Sequence, residues 1–165
     1  MSSRAGVMSE VIKDFPYSSN MEHYHLQGTE PVRVRCMDDR FAALWHRFHE
    51  AHGWSHKDPI TVPGGIAAVG SNDPVDADEK KVILGWIRGA LELHGSKYVI
   101  VSVHSGGCGA YKLKGLSFAS PEAERKRVEL DLRAAVEFLR GELPQDVTIL
   151  GYLADGEGLH QLIAA

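Results

Sequence analysis

The sequence has little of what marks exported, membrane-spanning or nucleic-acid-binding proteins. It has only two cysteines in 165 residues, whereas small exported domains are often rich in disulfides. No apolar run approaches the ~20 residues that span a bilayer, and the N-terminus lacks the hydrophobic segment of a secretory signal. The formal net charge of -4 does not indicate nucleic acid or an anionic membrane as a partner. We therefore expect a cytoplasmic protein whose thiols serve metal binding or catalysis.

The length and composition fit one globular domain preceded by a short arm. Hydrophobic residues make up 44% of the chain, which is ordinary for a soluble domain. Residues 1–30 are polar and weakly patterned, so we assign them to an N-terminal arm and residues 31–165 to a single α/β domain. Such an arm frays or packs on a partner subunit. Its apolar residues Val11, Ile12 and Phe15 favour packing.

Strand-like and helix-like patterns alternate along the domain. The strand-like runs cover residues 32–36, 59–62, 98–103 and 147–151, and amphipathic stretches lie between them. Residues 152–154 and 159–163 flank a Gly-rich hairpin signal. The pattern predicts an α/β fold with a mostly parallel central sheet flanked by helices. The C-terminal hairpin would add an edge strand.

Two patterns in the sequence predict how particular side chains are buried or paired. The helix after Asp76 places an apolar stripe on one face, which should be buried: Val82, Ile83, Trp86, Ile87, Ala90 and Leu91. The strand at 32–36 alternates apolar residues with Arg33 and Arg35. That alternation is unusual for a central parallel strand, so these arginines should meet acidic partners or solvent, or lie at an interface.

A histidine and both cysteines lie at the ends of predicted strands. Residues 98–103 form an apolar run that leads into a Gly-rich loop holding His104 and Cys108, and Cys36 ends the first strand. If the order of the strands reverses between these two, their carboxyl ends converge at a switch point. Imidazole and thiolate are ligands that zinc prefers, and three protein ligands leave the open position of a catalytic site. The sequence therefore predicts a zinc centre.

Two charged residues follow Cys36 in the same turn. Asp38 could accept a hydrogen bond from a water on the metal, and Arg40 could keep that carboxylate ionised and oriented.

These motifs resemble the β-class carbonic anhydrases. Residues 36–40 fit the family's C-x-D-x-R motif, and residues 82–111 are similar to its helix, strand and H-x-x-C-G-A segment. Pro63-Gly64-Gly65 resembles its second-strand loop, and residues 151–158 resemble its late G…D…G hairpin. The similarity covers roughly residues 30 to 163, in family order.

The resemblance implies a fold, a metal and a reaction. It implies Zn2+ on Cys36, His104 and Cys108, with Asp38 and Arg40 as the catalytic pair. It implies reversible hydration of CO2 to bicarbonate by a metal-bound hydroxide, and a homodimer or higher homo-oligomer. The alternatives are hydrolysis of COS or CS2 at the same site, or a non-catalytic zinc-binding relative.

One departure from the family pattern concerns the metal-binding loop. The family has two residues between histidine and cysteine, whereas this chain has Ser105, Gly106 and Gly107. Either the glycines let the loop bulge and keep His104 on the metal, or Ser105 takes the ligand's place and the site loses a ligand. We expect the bulge, because glycine tolerates the backbone angles it needs. Gly106, Gly107 and Gly109 would then form the backbone of the metal pocket.

A second group of histidines has helical spacing: His46, His49, His52 and His56. We expect it to be a solvated face rather than a second metal site or a proton shuttle.

Overall fold

The computed structural model describes residues 30–54 and 59–165. The predicted N-terminal arm, apart from Glu30, and His56 lie outside the described residues. The strands are β1 (Val32–Cys36), β2 (Pro59–Val62), β3 (Tyr98–His104), β4 (Thr148–Ala154) and β5 (Leu159–Ala164). The α-helices are α1 (Ala42–Ala51), α2 (Ala67–Gly70), α3 (Ala77–His94), α4 (Gly109–Leu113) and α5 (Pro121–Glu142). Two 3-10 turns, Asp39–Phe41 and Pro74–Asp76, precede α1 and α3.

The five strands form one sheet in the order β2-β1-β3-β4-β5. β1 pairs in parallel with β2 and β3, and β3 pairs in parallel with β4. β5 pairs antiparallel with β4 and forms an edge of the sheet. The predicted α/β fold with a mostly parallel sheet and a C-terminal edge strand is therefore confirmed.

The direct pairing of β1 with β3 makes the switch point. The chain goes from β1 to β2 on one side and from β3 to β4 on the other, so the strand order reverses between β1 and β3. Val32 lies opposite Val99, and Val34 lies opposite Val101. Both strands point the same way, so the loops that follow them leave the same edge of the sheet. Open α/β sheets bind ligands at such an edge.

The two faces of the sheet are covered differently. The main core contains buried residues from β1 and β3 together with residues of α2, α3 and α5, among them Val34, Val101, Val69, Ile83 and Leu132. A smaller cluster joins Trp45 of α1 to Ile100 and Tyr152 on the sheet. Within the described ranges, no helix combines the length and apolar character that crossing a bilayer needs.

The predicted buried stripe of α3 is wrong at two positions. Ile83, Ile87 and Leu91 are buried, but Val82 is 46% exposed and Trp86 is 52% exposed. Neighbouring residues of a helix differ by about 100° around its axis. Val82 and Trp86 therefore lie to one side of the face that meets the core. The stripe predicted from the sequence was wider than the face that is buried.

Arg33 meets neither an acidic partner nor solvent among the described residues. It is only 6% exposed, and its guanidinium carbon lies 5.4 Å from the ring centroid of Trp45. Nε and Nη1 have no hydrogen-bond partner within the part of the chain that the structure describes. Burial, with a smaller contribution from Arg35, lowers the pKa of Arg33 to about 10. The cation–π contact compensates for part of the lost hydration.

The two faces of α3 can be told apart by substitution. Ile83→Ala should lower the free energy of unfolding by ~2–5 kcal/mol, because it opens a cavity in a core that cannot fully collapse. Lys81→Ala, two residues away and exposed on the same helix, should change it by no more than ~0.5 kcal/mol. Denaturant unfolding of both variants measures the difference. Equal costs would contradict the assignment of the buried face.

Candidate metal centre

Cys36 lies at the end of β1, where the loop after β2 covers it. The backbone N–H of Gly64 donates a hydrogen bond to Cys36 Sγ at 3.3 Å. The next residue, Gly65, has φ of +62°, and a Cβ there would lie 2.2 Å from the carbonyl oxygen of Ser102. Only glycine avoids both the strained angle and the clash. The glycine pair thus lets the loop lie against β3 and hold the Cys36 sulfur.

His104 lies at the end of β3, and its two ring nitrogens have different surroundings. Nδ1 lies 3.1 Å from the carbonyl oxygen of Ser105, and a carbonyl can only accept, so Nδ1 carries the hydrogen. Nε2 is buried and has no hydrogen-bond partner among the described residues. An unpaired buried acceptor is costly unless something binds it. A histidine oriented in this way by a backbone carbonyl could bind a metal ion through Nε2.

The three predicted ligands converge. One ligand atom each from Cys36, His104 and Cys108 lies within 4.8 Å of the others. Cys108 precedes α4 and is only 2% exposed. Two sulfurs and an imidazole nitrogen suit a thiophilic metal, and the unpaired Nε2 is the atom that such a metal would satisfy. The residues present therefore fit a bound metal ion.

The two thiols shift each other's pKa in opposite directions. The hydrogen bond with Cys108, together with the nearby His104, lowers the pKa of Cys36 to about 4. The same hydrogen bond, together with burial, raises the pKa of Cys108 well above its usual value. Burial alone would lower the pKa of His104, but contacts with Cys36 and the Ser105 carbonyl raise it. A metal ion would replace protons that the cluster now holds.

Asp38 and Arg40 form a hydrogen-bonded pair beside the cluster. Arg40 Nε donates to Asp38 Oδ1 at 2.9 Å, and Nη2 donates to Oδ2 at 2.6 Å. These bonds lower the pKa of Asp38 to about 2. Asp38 Oδ2 also lies 3.6 Å from His104 Nε2. The structure thus holds an ionised carboxylate at the edge of the cluster and ties it to a cation.

The longer loop between His104 and Cys108 still brings His104 to the cluster. Gly106 and Gly107 have φ of +87° and +86°, which side chains with a Cβ rarely adopt. The N–H of Ser105 donates to the carbonyl oxygen of Ala154 at 3.1 Å, which ties the start of the loop to β4. Gly109 is the first residue of α4 and has no positive φ.

Sequence reasoning missed Glu124, whose carboxylate accepts hydrogen bonds from the backbone of this loop. Glu124 lies in the first turn of α5, is 8% exposed, and accepts hydrogen bonds from the N–H groups of Gly106, Gly107 and Cys108. A signal was present, because Glu124 is four and eight residues before the buried Val128 and Leu132. It is an acidic residue on the apolar stripe of its helix.

Clefts border the loop on more than one side, and two of them are similar in size. One, of about 450 Å³, is lined by Arg40, Phe41, Ser105, Gly106 and residues 155–158 of the β4–β5 hairpin, together with part of α1. The other, of about 440 Å³, is lined by Gly107, Cys108, Tyr111 and Glu124 together with the 116–121 segment. Small molecules can therefore approach the loop from either side.

The histidines of α1 do not share one solvated face. His46 is exposed and pairs with Glu50, and His52 is exposed and stacks on Trp54 with ring centroids 4.5 Å apart. His49 is 1% exposed and belongs to the buried side of α1, so the expected solvated face is wrong at this position. Among the described residues, the one other group of possible ligands is Asp155, Glu157 and His160.

The chain is similar to solved β-carbonic anhydrases in three dimensions. No protein-family model and no curated protein matches its sequence. A tetrameric β-carbonic anhydrase from the filamentous ascomycete Sordaria macrospora matches with a TM-score of 0.55 and 15% identity, over 98% of this chain and 93% of that chain. The β-carbonic anhydrase CafA of Aspergillus fumigatus matches with a TM-score of 0.53 and 16% identity, over 97% and 91%.

A carbon disulfide hydrolase, solved in its apo form, matches with a TM-score of 0.52 and 18% identity, over 96% of this chain and 90% of that chain. All three similarities extend over nearly the whole length of both chains. They agree with the family that the sequence motifs resemble. The chain has the fold of the β-carbonic anhydrases, with a Cys–His–Cys cluster that could hold a metal ion at the switch point of its sheet.

Proposed function

We propose that the protein is a zinc enzyme that hydrates CO2 reversibly to bicarbonate. The observation that carries the proposal is the convergence of Cys36, His104 and Cys108, with the buried His104 Nε2 left without a hydrogen-bond partner among the described residues. The fold similarity to β-carbonic anhydrases supports the reaction class. Zinc held by these residues would supply a Lewis acid that makes water a nucleophile at neutral pH.

Asp38 and Arg40 are proposed to position the reacting groups. Asp38 stays ionised because Arg40 binds both of its oxygens, so near neutral pH it can only accept a hydrogen bond. Such an acceptor beside the ligands would orient a water molecule and fix its lone pair towards the substrate. Arg40 keeps the carboxylate in place, since its Nη1 also donates to the carbonyl oxygen of Gly106 at 3.0 Å.

Hydrolysis of CS2 is the second candidate, because a carbon disulfide hydrolase shares this fold at similar coverage. CO2, COS and CS2 are linear molecules with an electrophilic central carbon, so the same site chemistry could serve all three. Assays of CO2 hydration and of COS and CS2 hydrolysis, on one batch of metal-quantified protein, decide between the two candidates. Lack of activity on all three would favour a non-catalytic zinc-binding relative.

The metal site makes a direct prediction. Protein purified without chelator should contain about one zinc per chain, and Cys36→Ser or His104→Ala should lose it, because each removes one of three ligands. His46→Ala is the control, since His46 is exposed on α1 and paired with Glu50. Elemental analysis measures all four proteins. Zinc retained at one equivalent in His104→Ala would refute the ligand assignment.

The Asp38–Arg40 pair makes a separate prediction. Asp38→Asn and Arg40→Ala should each lower kcat/KM for CO2 hydration by ~10–100-fold, because groups around a metal typically change activity by that factor. Zinc content should stay near one, since neither side chain is a ligand. Stopped-flow hydration assays with parallel zinc analysis test both points. Unchanged activity in either variant would show that the pair does not act in the reaction.

We also propose that the chain works as a homo-oligomer. The Sordaria macrospora enzymes are tetrameric, and this chain exposes Val82, Trp86 and Leu93 along one side of α3. An exposed apolar surface of this kind is typical of a protein interface. Light scattering at micromolar concentration should give at least twice the 18.1 kDa chain mass. A monomer would contradict the proposal.

A further inference from the structure

Glu124 is a buried carboxylate for which the proposed reaction gives no role. It lies on the apolar side of α5, in line with Val128 and Leu132, and only 8% of it is exposed. Burying a charge is costly unless hydrogen bonds replace its hydration. Hydrogen-bond donors must therefore surround the Glu124 carboxylate, and their identity indicates which part of the structure it restrains.

Among the described residues, every donor to Glu124 is a backbone N–H group of one loop. The N–H of Gly107 lies 2.9 Å from Oε1 and 3.1 Å from Oε2, the N–H of Cys108 lies 3.1 Å from Oε1, and the N–H of Gly106 lies 3.2 Å from Oε2. Outside a helix, three consecutive N–H groups can point to one carboxylate when the backbone forms a concave turn. The positive φ angles of Gly106 and Gly107 provide it.

Arg40 binds the carbonyl oxygens of the same loop. Its Nη1 donates to the oxygen of Gly106 at 3.0 Å, and its Nη2 donates to that of Gly107 at 3.4 Å. The N–H groups thus face an anion and the carbonyl groups face a cation. This arrangement fixes the orientation of the peptide groups between His104 and Cys108, which no strand or helix determines.

We propose that Glu124 is a positioning residue of the metal centre. It holds the N–H of Cys108 and the two peptide groups before it, and so sets where the Cys108 sulfur lies relative to His104. The longer His-to-Cys spacing makes such a restraint necessary, because an extra residue gives the loop more conformations. The inference rests on the metal centre of the proposed function, but it does not depend on the substrate.

Metal affinity measured with Co2+ alone tests this role. Glu124→Gln keeps the size of the side chain but replaces one acceptor oxygen by a donor group that faces N–H donors. We expect Co2+ to bind ~10–100-fold more weakly, the usual effect of removing a group that orients a ligand. We also expect the thiolate-to-cobalt absorption bands to shift. Glu137→Gln is the control, because it makes the same change at an exposed position of α5.

Glu124→Asp separates positioning from general stability. It retains both acceptor oxygens on a side chain one methylene shorter, so it should recover part of the affinity and most of the wild-type cobalt spectrum. Wild-type affinity and spectrum in Glu124→Gln, with only a lower melting temperature, would overturn the proposal. So would a wild-type protein that binds no Co2+. If the wild type binds Co2+ but hydrates no CO2, the proposed function fails and the role of Glu124 stands.

Discussion

The parallel pairing of β1 with β3 is the constraint on which the candidate site depends. Val34 lies opposite Val101. Cys36 is two residues beyond this pair on β1, and His104 is three residues beyond it on β3. Residues far apart in the chain are thereby brought to the same edge of the sheet before any side-chain interaction is considered. Backbone hydrogen bonds along two buried strands hold this register, and side chains at the strand ends inherit their positions from it.

The strand register determines the positions of Cys36 and His104 but not that of Cys108. Cys36 and His104 are the last residues of their strands, whereas Cys108 follows a loop of three residues that contains two glycines. Loops are less rigid than the elements they join. Here charged side chains at both sides of the loop replace the missing secondary structure, with Glu124 on the N–H groups and Arg40 on the carbonyl groups. Arg40 thus links the loop to Asp38, so the position of the carboxylate and the conformation of the loop are coupled.

The strands and the Cys36–His104–Cys108 cluster could be predicted from the sequence, because both leave a local signal. An apolar run that leads into a Gly-rich loop marks a strand that ends at a functional edge, and the only two cysteines lie at the end of one strand and in the loop after another. Glu124 could not be assigned a role, because its partners lie 16 to 18 residues earlier and its charge fits a helix N-terminus equally well. The burial of Arg33 was also hidden, since it depends on Trp45 of α1 lying over β1. In both cases the missing information is which helix covers which part of the sheet.

The charged groups around the cluster have partners close by. Two thiolates would balance a divalent cation, and Asp38 and Arg40 balance each other. Glu124 carries the remaining negative charge and spreads it over three N–H dipoles. Each ionised group is therefore neutralised or hydrogen-bonded by a neighbour within the site, and none needs a charged partner elsewhere in the fold. Substitutions outside the site can then change packing and surface charge without leaving an unpaired charge at the cluster.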